Sequence, residues 1–371
     1  MKKKKGAHSS SFIRSIFHFM STLSLALLHQ PTHTIEIDQL ELQPSRLHEY
    51  VVLQLLSEGG QSRVWFAIPR ETSSFTTNKV VLKQYDMLPH RQEGIILSRL
   101  DLETEHQQAQ IRLQRFKWEL KIYQNLQQTK VRGILYPLTA FYDASRHQGY
   151  LVLPYIEMPA NMDVFFNSLT NDQLIRSMNQ LVDTVTQLHA QGLIHGDIKP
   201  KNVLWDRFTQ RPFLIDFGSS QYYLPGMSMD VQVGTKAFQP PELRLDSKDS
   251  STDVTKNSQA TTGQCLHRSA DIWSMMCTFI CWIIPSLKTQ VQQGPHSSVV
   301  ESYFDASFKK RKYKTWSDWY HHTTRSVQTS DICNKRIFLI QQLDRLFAHT
   351  LCLKPRKRWE AHRIGQYLRS L

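Results

Sequence analysis

The 371-residue chain contains only five cysteines, and no two of them have the CxxC spacing of a metal or redox pair. They are Cys265, Cys277, Cys281, Cys333 and Cys352. An odd number without that spacing argues against a disulfide framework and against a zinc ribbon. Cys277 and Cys281 stand four residues apart in an apolar stretch, so they share one helix face. That arrangement favours core packing over a redox or metal role.

The first 35 residues lack acidic side chains, and they also lack an apolar run long enough to cross a bilayer as a helix. Lys2–Lys5 is a basic run, and the largely apolar stretch Ile16–Leu28 is interrupted by His18, Ser21 and Ser24. The segment has features of an uncleaved tail, of a mitochondrial presequence and of a secretory signal. We interpret residues 1–47 as an N-terminal extension, either targeting or disordered, and expect no integral membrane span.

The composition favours a folded protein with a basic surface. Hydrophobic residues make up 40% of the chain and aromatic residues 11%, which is ample for one large domain or two lobes. Charged residues make up 21%, so bulk disorder is not expected. Since 45 Lys and Arg face 32 Asp and Glu, the formal net charge is +13. Such a surface attracts anions in general, and its charge does not choose between nucleotides, nucleic acid, acidic peptides and lipid.

The first part of the remaining chain reads as a small sheet with one main helix. The apolar stretches Tyr50–Leu56, Arg63–Ile68 and Lys79–Tyr85 flank a Gly/Ser-rich turn, Ser57–Ser62. This order is a hairpin signal. Residues 104–127 have helical spacing, and two strand-like runs follow at Ile134–Tyr142 and Tyr150–Ile156. Residues 48–157 are therefore predicted to form a small, β-rich first lobe.

From Thr170 onward the pattern becomes helical. Asn171 or Asp172 can cap a helix start, and Gly192 ends the helix. Between them, apolar residues repeat at intervals of 4, 3, 4 and 3. These residues are Leu174, Met178, Leu181, Val185 and Leu188. Residues 158–371 are predicted to form a larger, mostly helical lobe with loop insertions near 247–264 and 290–315. A basic run at Lys309–Lys314 has two interpretations, a solvated face or an import or phosphate-binding patch.

The strongest chemical signal is the run His195–Asn202, His-Gly-Asp-Ile-Lys-Pro-Lys-Asn, followed downstream by Asp216-Phe217-Gly218. These motifs resemble the H-R-D-x-K-P-x-N catalytic loop and the D-F-G turn of eukaryotic-type protein kinases. The resemblance implies an α+β, protein-kinase-like bilobal fold. It also implies transfer of the ATP γ-phosphate to Ser or Thr hydroxyls of protein substrates, a reaction that depends on positioning and on neutralising phosphate charge.

The resemblance also implies roles for individual residues. Asp197 would orient the substrate hydroxyl and accept its proton, and Lys199 would neutralise the γ-phosphate. Asn202 and Asp216 would bind Mg²⁺ or Mn²⁺, because hard oxygen ligands suit these ions. Thr235 would bridge Asp197 and Lys199, since it lies in a segment that resembles G-T-x-x-Y-x-A-P-E. A lysine at position 199 is typical of serine/threonine kinases rather than tyrosine kinases.

A binding site for ATP is expected in the first lobe. The run from Val80 to Lys83 resembles the V-A-I-K strand, in which Val81 would contact ATP and Lys83 would bind its phosphates. Glu119, on the following helix, would hold that lysine. Leu153 and Tyr155 lie in a segment that resembles the hinge, which meets adenine through backbone groups.

The glycine-rich loop is the most altered motif. Residues 56–64, Leu-Ser-Glu-Gly-Gly-Gln-Ser-Arg-Val, resemble L-G-x-G-x-x-G-x-V. Gly59 keeps a family glycine, and Leu56 and Val64 would flank the nucleotide. Ser57 and Ser62 replace the two outer glycines, which makes positive φ less accessible and favours looser ATP binding.

Further positions extend the resemblance over residues 48–370. Glu242 would pair with Arg358 as a structural contact, and Asp271 would cap the backbone of the catalytic loop. Two positions depart from the pattern. Gly196 replaces the arginine that, in many kinases, reads a phosphate on the activation segment, so this non-RD loop predicts activity without phosphorylation there. Lys201 stands where many basophilic kinases carry Glu, which favours a neutral or acidic substrate.

Two other functions remain open at the level of sequence. Aminoglycoside and choline kinases share H-G-D-x-x-x-x-N and a later I-D-F, so Gly196 makes a small-molecule phosphotransferase an alternative. The altered glycine loop makes a pseudokinase another. The expected partners are ATP and a protein substrate, nucleic acid is unlikely in the absence of a reader motif, and a monomer is expected. A cytoplasmic or nuclear location is expected, with mitochondria as the alternative, because an enzyme that uses ATP needs a nucleotide-rich compartment.

Overall fold

The computed structural model describes most of the region that follows the N-terminal extension. It describes residues 42–58, 62–70, 79–87, 99–223, 234–243, 267–285, 315, 317–318, 330–352 and 354–371. Several sequence predictions lie outside these residues. They are Gly59, the character of residues 1–41, the insertion at 247–264, nearly all of that at 290–315, and the basic run Lys309–Lys314.

The first lobe is a five-stranded antiparallel sheet with one long helix. In chain order, its elements are β1 (Tyr50–Glu58), β2 (Arg63–Pro69), β3 (Val80–Asp86), α1 (Arg99–Gln128), β4 (Thr139–Asp143) and β5 (Gln148–Pro154). The strands lie in the order β1-β2-β3-β5-β4, so β3 is central and β1 is an edge strand. The antiparallel pairing of the first two predicted strands and the main helix predicted from the sequence are present.

The strand predicted at Ile134–Tyr142 is wrong over its first half. Residues before Thr139 are not in a strand, and Ile134 makes only an isolated bridge to Leu214. Pro137 explains the late start, because it has no N–H to donate to a sheet ladder. The Gly133 carbonyl accepts a hydrogen bond from the Leu214 N–H instead, at 2.9 Å, and so joins the two lobes.

The second lobe is mainly helical. Its elements are α2 (Met162–Ser168), α3 (Asn171–Ala190), β6 (Leu193–Ile194), β7 (Val203–Asp206), β8 (Arg211–Leu214), β9 (Gln221–Tyr222), α4 (Arg268–Ile283), α5 (Ser330–Thr350) and α6 (Ala361–Arg369). The short strands pair as β6 with β9 and β7 with β8. Because the catalytic-loop residues lie between β6 and β7, these two ladders fix both ends of that loop.

Helix α3 directly precedes β6 and the catalytic loop, and it packs into the core of the second lobe. Its predicted stripe is buried, with Leu174, Met178, Val185 and Leu188 at 0% exposure and Leu181 at 1%. The prediction of Asn171 or Asp172 as the cap is wrong by one or two positions. Thr170 is the cap: its hydroxyl accepts the Gln173 N–H, while the Gln173 side chain accepts the Thr170 N–H. This reciprocal pair is a capping box, which Asn171 could not form with a residue three positions later.

Helix α4 lies in the centre of the second lobe. Every residue from Ser269 to Ile283 is buried, including Cys277 and Cys281, and neither of these two forms a disulfide. One hydrophobic cluster runs from Tyr85 and Phe116 in the first lobe to Leu368 in α6. Within the described residues, no helix has the length and apolar character needed to span a membrane.

Candidate active site

The catalytic loop is anchored by one buried carboxylate. Asp271, in the first turn of α4, is 1% exposed. Its Oδ2 accepts the His195 N–H at 2.8 Å, and its Oδ1 accepts the Gly196 N–H at 2.9 Å. The His189 Nε2 lies 2.9 Å from Oδ2. Burial by itself raises the pKa of Asp271, but the hydrogen bonds and charge of His189 and the loop outweigh it and lower that pKa below its ordinary value.

Asp197 lies at the centre of a compact polar network. Lys199 Nζ lies 2.6 Å from Asp197 Oδ2 and 2.7 Å from Thr235 Oγ1. The Thr235 N–H donates to Asp197 Oδ1 at 2.7 Å. The Asn202 amide donates to the Asp197 carbonyl at 2.9 Å. Thr235 therefore touches both Asp197 and Lys199, as the sequence predicted, and the carboxylate is held in a single orientation.

Gly234 allows the Thr235 segment to approach the loop this closely. Its φ is +88°, and a Cβ there would collide with the Gly196 carbonyl oxygen. Any other residue would therefore be strained and would push Thr235 away from Asp197.

A second charged cluster joins β3, α1 and the turn after β8. Lys83 Nζ lies 2.7 Å from Asp216 Oδ1 and 3.1 Å from Glu119 Oε1. Burial alone would lower the pKa of Lys83, but the two carboxylates raise it well above its ordinary value. Burial alone would raise the pKa of Asp216, but Lys83 lowers it by more, so this pKa lies below its ordinary value. Lys83 therefore keeps its positive charge and Asp216 its negative charge.

Asp216 adopts a left-handed backbone conformation, with φ +69° and ψ 77°. The next residue, Phe217, is fully buried and packs against His195 and Tyr123, with ring centroids 5.0 and 5.1 Å away. His195 Nε2 lies 3.1 Å from the Ile215 carbonyl oxygen. These contacts stabilise an unusual backbone conformation and so fix the direction of the Asp216 carboxylate.

The donor set fits a hard divalent cation. Since the Asn202 amide nitrogen bonds to the Asp197 carbonyl, its side-chain oxygen remains available. Asp216 uses Oδ1 for Lys83, and its side chain keeps 39% exposure. Among the described residues, no group of three His, Cys, Asp or Glu side chains stands together as a metal site. A Mg²⁺ ion held by Asn202 and Asp216 would therefore depend on nucleotide oxygens as well, which is common for this ion.

The predicted hinge, which would meet adenine through backbone groups, requires one correction. Leu153 and Val81 are paired across β5 and β3, and both lie beside the main core, as a nucleotide wall requires. The Tyr155 N–H, however, donates to the Lys79 carbonyl at 3.2 Å, so it is not available to a ligand. The Tyr155 ring packs on Phe66, 5.1 Å between centroids.

The glycine-turn side of the cleft is open. Val64 pairs with Lys83 across β2 and β3 and is half-buried. Leu56, predicted to contact the nucleotide, is 46% exposed. Ser57 pairs with Val64 at the end of the hairpin, and Glu58 forms an exposed ion pair with Arg63 at 2.8 Å. The predicted contact of Leu56 with the nucleotide stays a prediction.

The remaining predicted pair has a structural role. Arg358 makes a two-pronged ion pair with Glu242, at 2.6 and 2.8 Å. The guanidinium also donates to the Ser269 and Cys352 carbonyls and lies 4.8 Å from the centre of the Trp273 ring. This buried arginine ties the segment after Thr235 to the start of α4.

Comparison with known proteins agrees with this geometry. A family model described as "Protein kinase domain" matches residues 50–367. A probable serine/threonine-protein kinase of Dictyostelium discoideum is similar, with 25% identity over 251 residues, which cover 68% of this chain and 34% of that protein. The chain thus spans about a third of the length of this curated relative. Since the family model covers most of the sequence, the chain belongs to the protein kinase domain family.

Proposed function

We propose that this chain is a serine/threonine protein kinase that transfers the γ-phosphate of ATP to hydroxyl groups of protein substrates. One observation carries the proposal: the Asp197–Lys199–Thr235 network and the Lys83–Glu119–Asp216 cluster are both assembled. The Asn202 side chain also donates to Asp197 Oδ2 at 3.2 Å, and the Asn202 backbone carbonyl accepts the N–H of Ile215, the residue before Asp216, at 3.0 Å. A pseudokinase reading has less support, because each of these polar side chains is present and paired.

The chain's own residues divide the chemistry between them. Asp197 is placed to receive a hydroxyl proton, because both of its oxygens are fixed by neighbours and its carboxylate is 11% exposed. Lys199 is close enough to share charge with a phosphate that approaches Asp197. Lys83 would contact the nucleotide phosphates, and Asn202 and Asp216 would hold Mg²⁺ or Mn²⁺. When bound, that ion would neutralise phosphate charge.

The choice of a hydroxyl on Ser or Thr rests on Lys199. The lysine occupies the space beside Asp197, held there by Thr235 at 2.7 Å. A protein rather than a small molecule as acceptor is supported by the Thr235 segment, which is fixed through Glu242 and Arg358 next to the loop. A protein chain could lie along this ordered segment.

Product analysis tests the proposal. The full chain is incubated with γ-labelled ATP, Mg²⁺ and a mixture of unfolded proteins, and the labelled acceptor residues are identified. We expect phosphoserine and phosphothreonine, and we expect the Lys83→Met variant to lose nearly all label. Label on an aminoglycoside or choline alone would indicate a small-molecule phosphotransferase. Equal, background labelling by both proteins would indicate a binding module.

A further inference from the structure

The hydroxyl of Tyr85 contacts the ion pair that the sequence singled out, but no sequence motif includes it. Tyr85 lies two residues after Lys83 in β3, so both side chains point to the same side of the sheet, toward α1. The Tyr85 hydroxyl lies 2.5 Å from Glu119 Oε2. Its ring lies 5.1 Å from the Phe116 ring and 5.1 Å from Lys83 Nζ. The Tyr85 side chain thus contacts Lys83, Glu119 and a second residue of α1, the helix that carries Glu119.

Glu119 needs this second donor. Its side chain is 1% exposed, so water cannot satisfy it. Lys83 is shared and lies closer to Asp216, at 2.7 Å, than to either Glu119 oxygen, at 3.1 and 3.4 Å. A buried carboxylate that has only a shared cation as its partner is costly. The Tyr85 hydroxyl is the nearest donor to Glu119 among the described residues, and its short distance is that of a charge-assisted hydrogen bond.

The ring of Tyr85 sets the position of its hydroxyl. Phe116 and Glu119 are three residues apart in α1 and therefore lie on one helix face. The ring packs on Phe116 while the hydroxyl reaches Glu119, so the tyrosine contacts the helix at two points one turn apart. Burial and the neighbouring carboxylates raise the pKa of Tyr85 well above its ordinary value, so the hydroxyl stays protonated and keeps donating.

We propose that Tyr85 is a positioning residue whose hydroxyl holds the Glu119 carboxylate, and with it helix α1, while Lys83 is free to engage the nucleotide. The kinetic consequence rests on the proposed kinase function, but the positioning of α1 does not. Lys83 can then turn toward a phosphate without leaving Glu119 unpaired. The helix keeps its place in both states, without a phosphate on the activation segment.

Tyr85→Phe is the direct test, because it removes the hydroxyl and keeps the ring on Phe116. Tyr136→Phe is a matched control. The Tyr136 hydroxyl donates to the Leu126 and Val131 carbonyls, at 2.9 and 2.7 Å, at the far end of α1. Both variants therefore lose one hydroxyl bonded near the same helix, but only the first loses contact with Glu119.

Amide hydrogen exchange of the full chain, without nucleotide, gives the readout that does not require activity. Since a hydrogen bond to a charged group is among the stronger ones, we expect about tenfold faster exchange near Glu119 in Tyr85→Phe. In Tyr136→Phe, amides near Glu119 should exchange at the wild-type rate. Wild-type exchange near Glu119 in Tyr85→Phe would overturn the proposal. So would an equal acceleration throughout α1, α3 and α4, because that would indicate a general loss of stability.

Steady-state kinetics give the second readout. We expect Tyr85→Phe to lower kcat/KM for ATP about tenfold while the KM for the protein acceptor stays within twofold. In a Glu119→Gln background, the same substitution should cost much less, because the hydroxyl then faces a neutral group. Full, additive losses in the double variant would contradict the proposal. If the wild-type chain transfers no phosphate, the proposed function fails, and the exchange measurement still decides the role of Tyr85.

Discussion

The catalytic loop and the β1–β2 hairpin are built very differently. In the loop, the N–H groups of His195, Gly196 and Asp197 each have a side-chain acceptor, and the acceptor Asp271 is 1% exposed. In the hairpin, every residue of β1 from Val52 to Glu58 is exposed, and the register of the pairing with β2 shifts at two points. In the proposed kinase, the chemistry would therefore lie on the side with buried anchors, and the exposed hairpin would cover the nucleotide.

The energetic weight of the two sides differs accordingly. A buried polar network loses several kcal/mol when one member is removed, because its partners stay buried and unpaired. An exposed ion pair such as Glu58–Arg63 contributes about 1 kcal/mol or less. Substitutions in the loop network are thus expected to change folding and turnover, whereas those in the hairpin should change mainly nucleotide affinity.

The largest effect on stability is expected for Asp271→Ala. It leaves two loop N–H groups and His189 without their acceptor, so the free energy of unfolding should fall by about 3–5 kcal/mol. Urea denaturation measures this loss. Asp183→Ala is the control, because Asp183 forms an exposed ion pair with Arg369, with side chains 52% and 53% exposed. It should cost less than about 1 kcal/mol. Equal losses would contradict the difference between buried network and surface pair.

A smaller effect is expected at Thr235. Thr235→Val removes the hydroxyl that binds Lys199 but keeps the shape of the side chain, so kcat should fall by about tenfold. Thr235→Ser keeps the hydroxyl and should retain most of the turnover. The measurement is kcat at saturating ATP for the three proteins. If serine proves as damaging as valine, the hydrogen bond to Lys199 is not what matters.

The opposite side of the cleft should respond weakly and in the other direction. Replacing Ser57 and Ser62 by glycine restores backbone freedom at the two altered positions of the turn. We expect ATP affinity to rise about twofold to threefold, with kcat unchanged. Titration calorimetry with ATP and Mg²⁺ measures the change. Weaker binding in the double variant would show that the serines themselves hold the nucleotide.

Treatment with a broad-specificity phosphatase should have almost no effect. Gly196 offers no side chain to a phosphate, and its N–H and carbonyl face Asp271 and Gly234. The activity of the purified chain should stay within twofold of its starting value. A large loss that is restored by incubation with ATP would show that a phosphate orders the activation segment after all.

The sequence predicted well those parts whose chemistry permits few alternatives. Spacing predicted the buried stripe of α3, and the resemblance to kinase motifs predicted the pairing of Lys83 with Glu119. The catalytic role of Asp197 stays a prediction. Tertiary detail was harder to predict. The Tyr155 amide is used by Lys79, a contact across the sheet that no local pattern shows. Tyr85 was missed because a tyrosine in a buried strand looks like any other core residue until Glu119 is placed opposite its hydroxyl.

The proposed role of Asp197 is in phosphate transfer rather than in nucleotide binding. Asp197→Asn is nearly isosteric, so it separates these two roles. The measurement is the single-turnover rate of γ-phosphate transfer to a protein acceptor at saturating ATP and Mg²⁺, with nucleotide affinity determined on the same protein. We predict a rate about 10²- to 10⁴-fold below wild type, with ATP affinity within about threefold. A variant that transfers phosphate at the wild-type rate would contradict it.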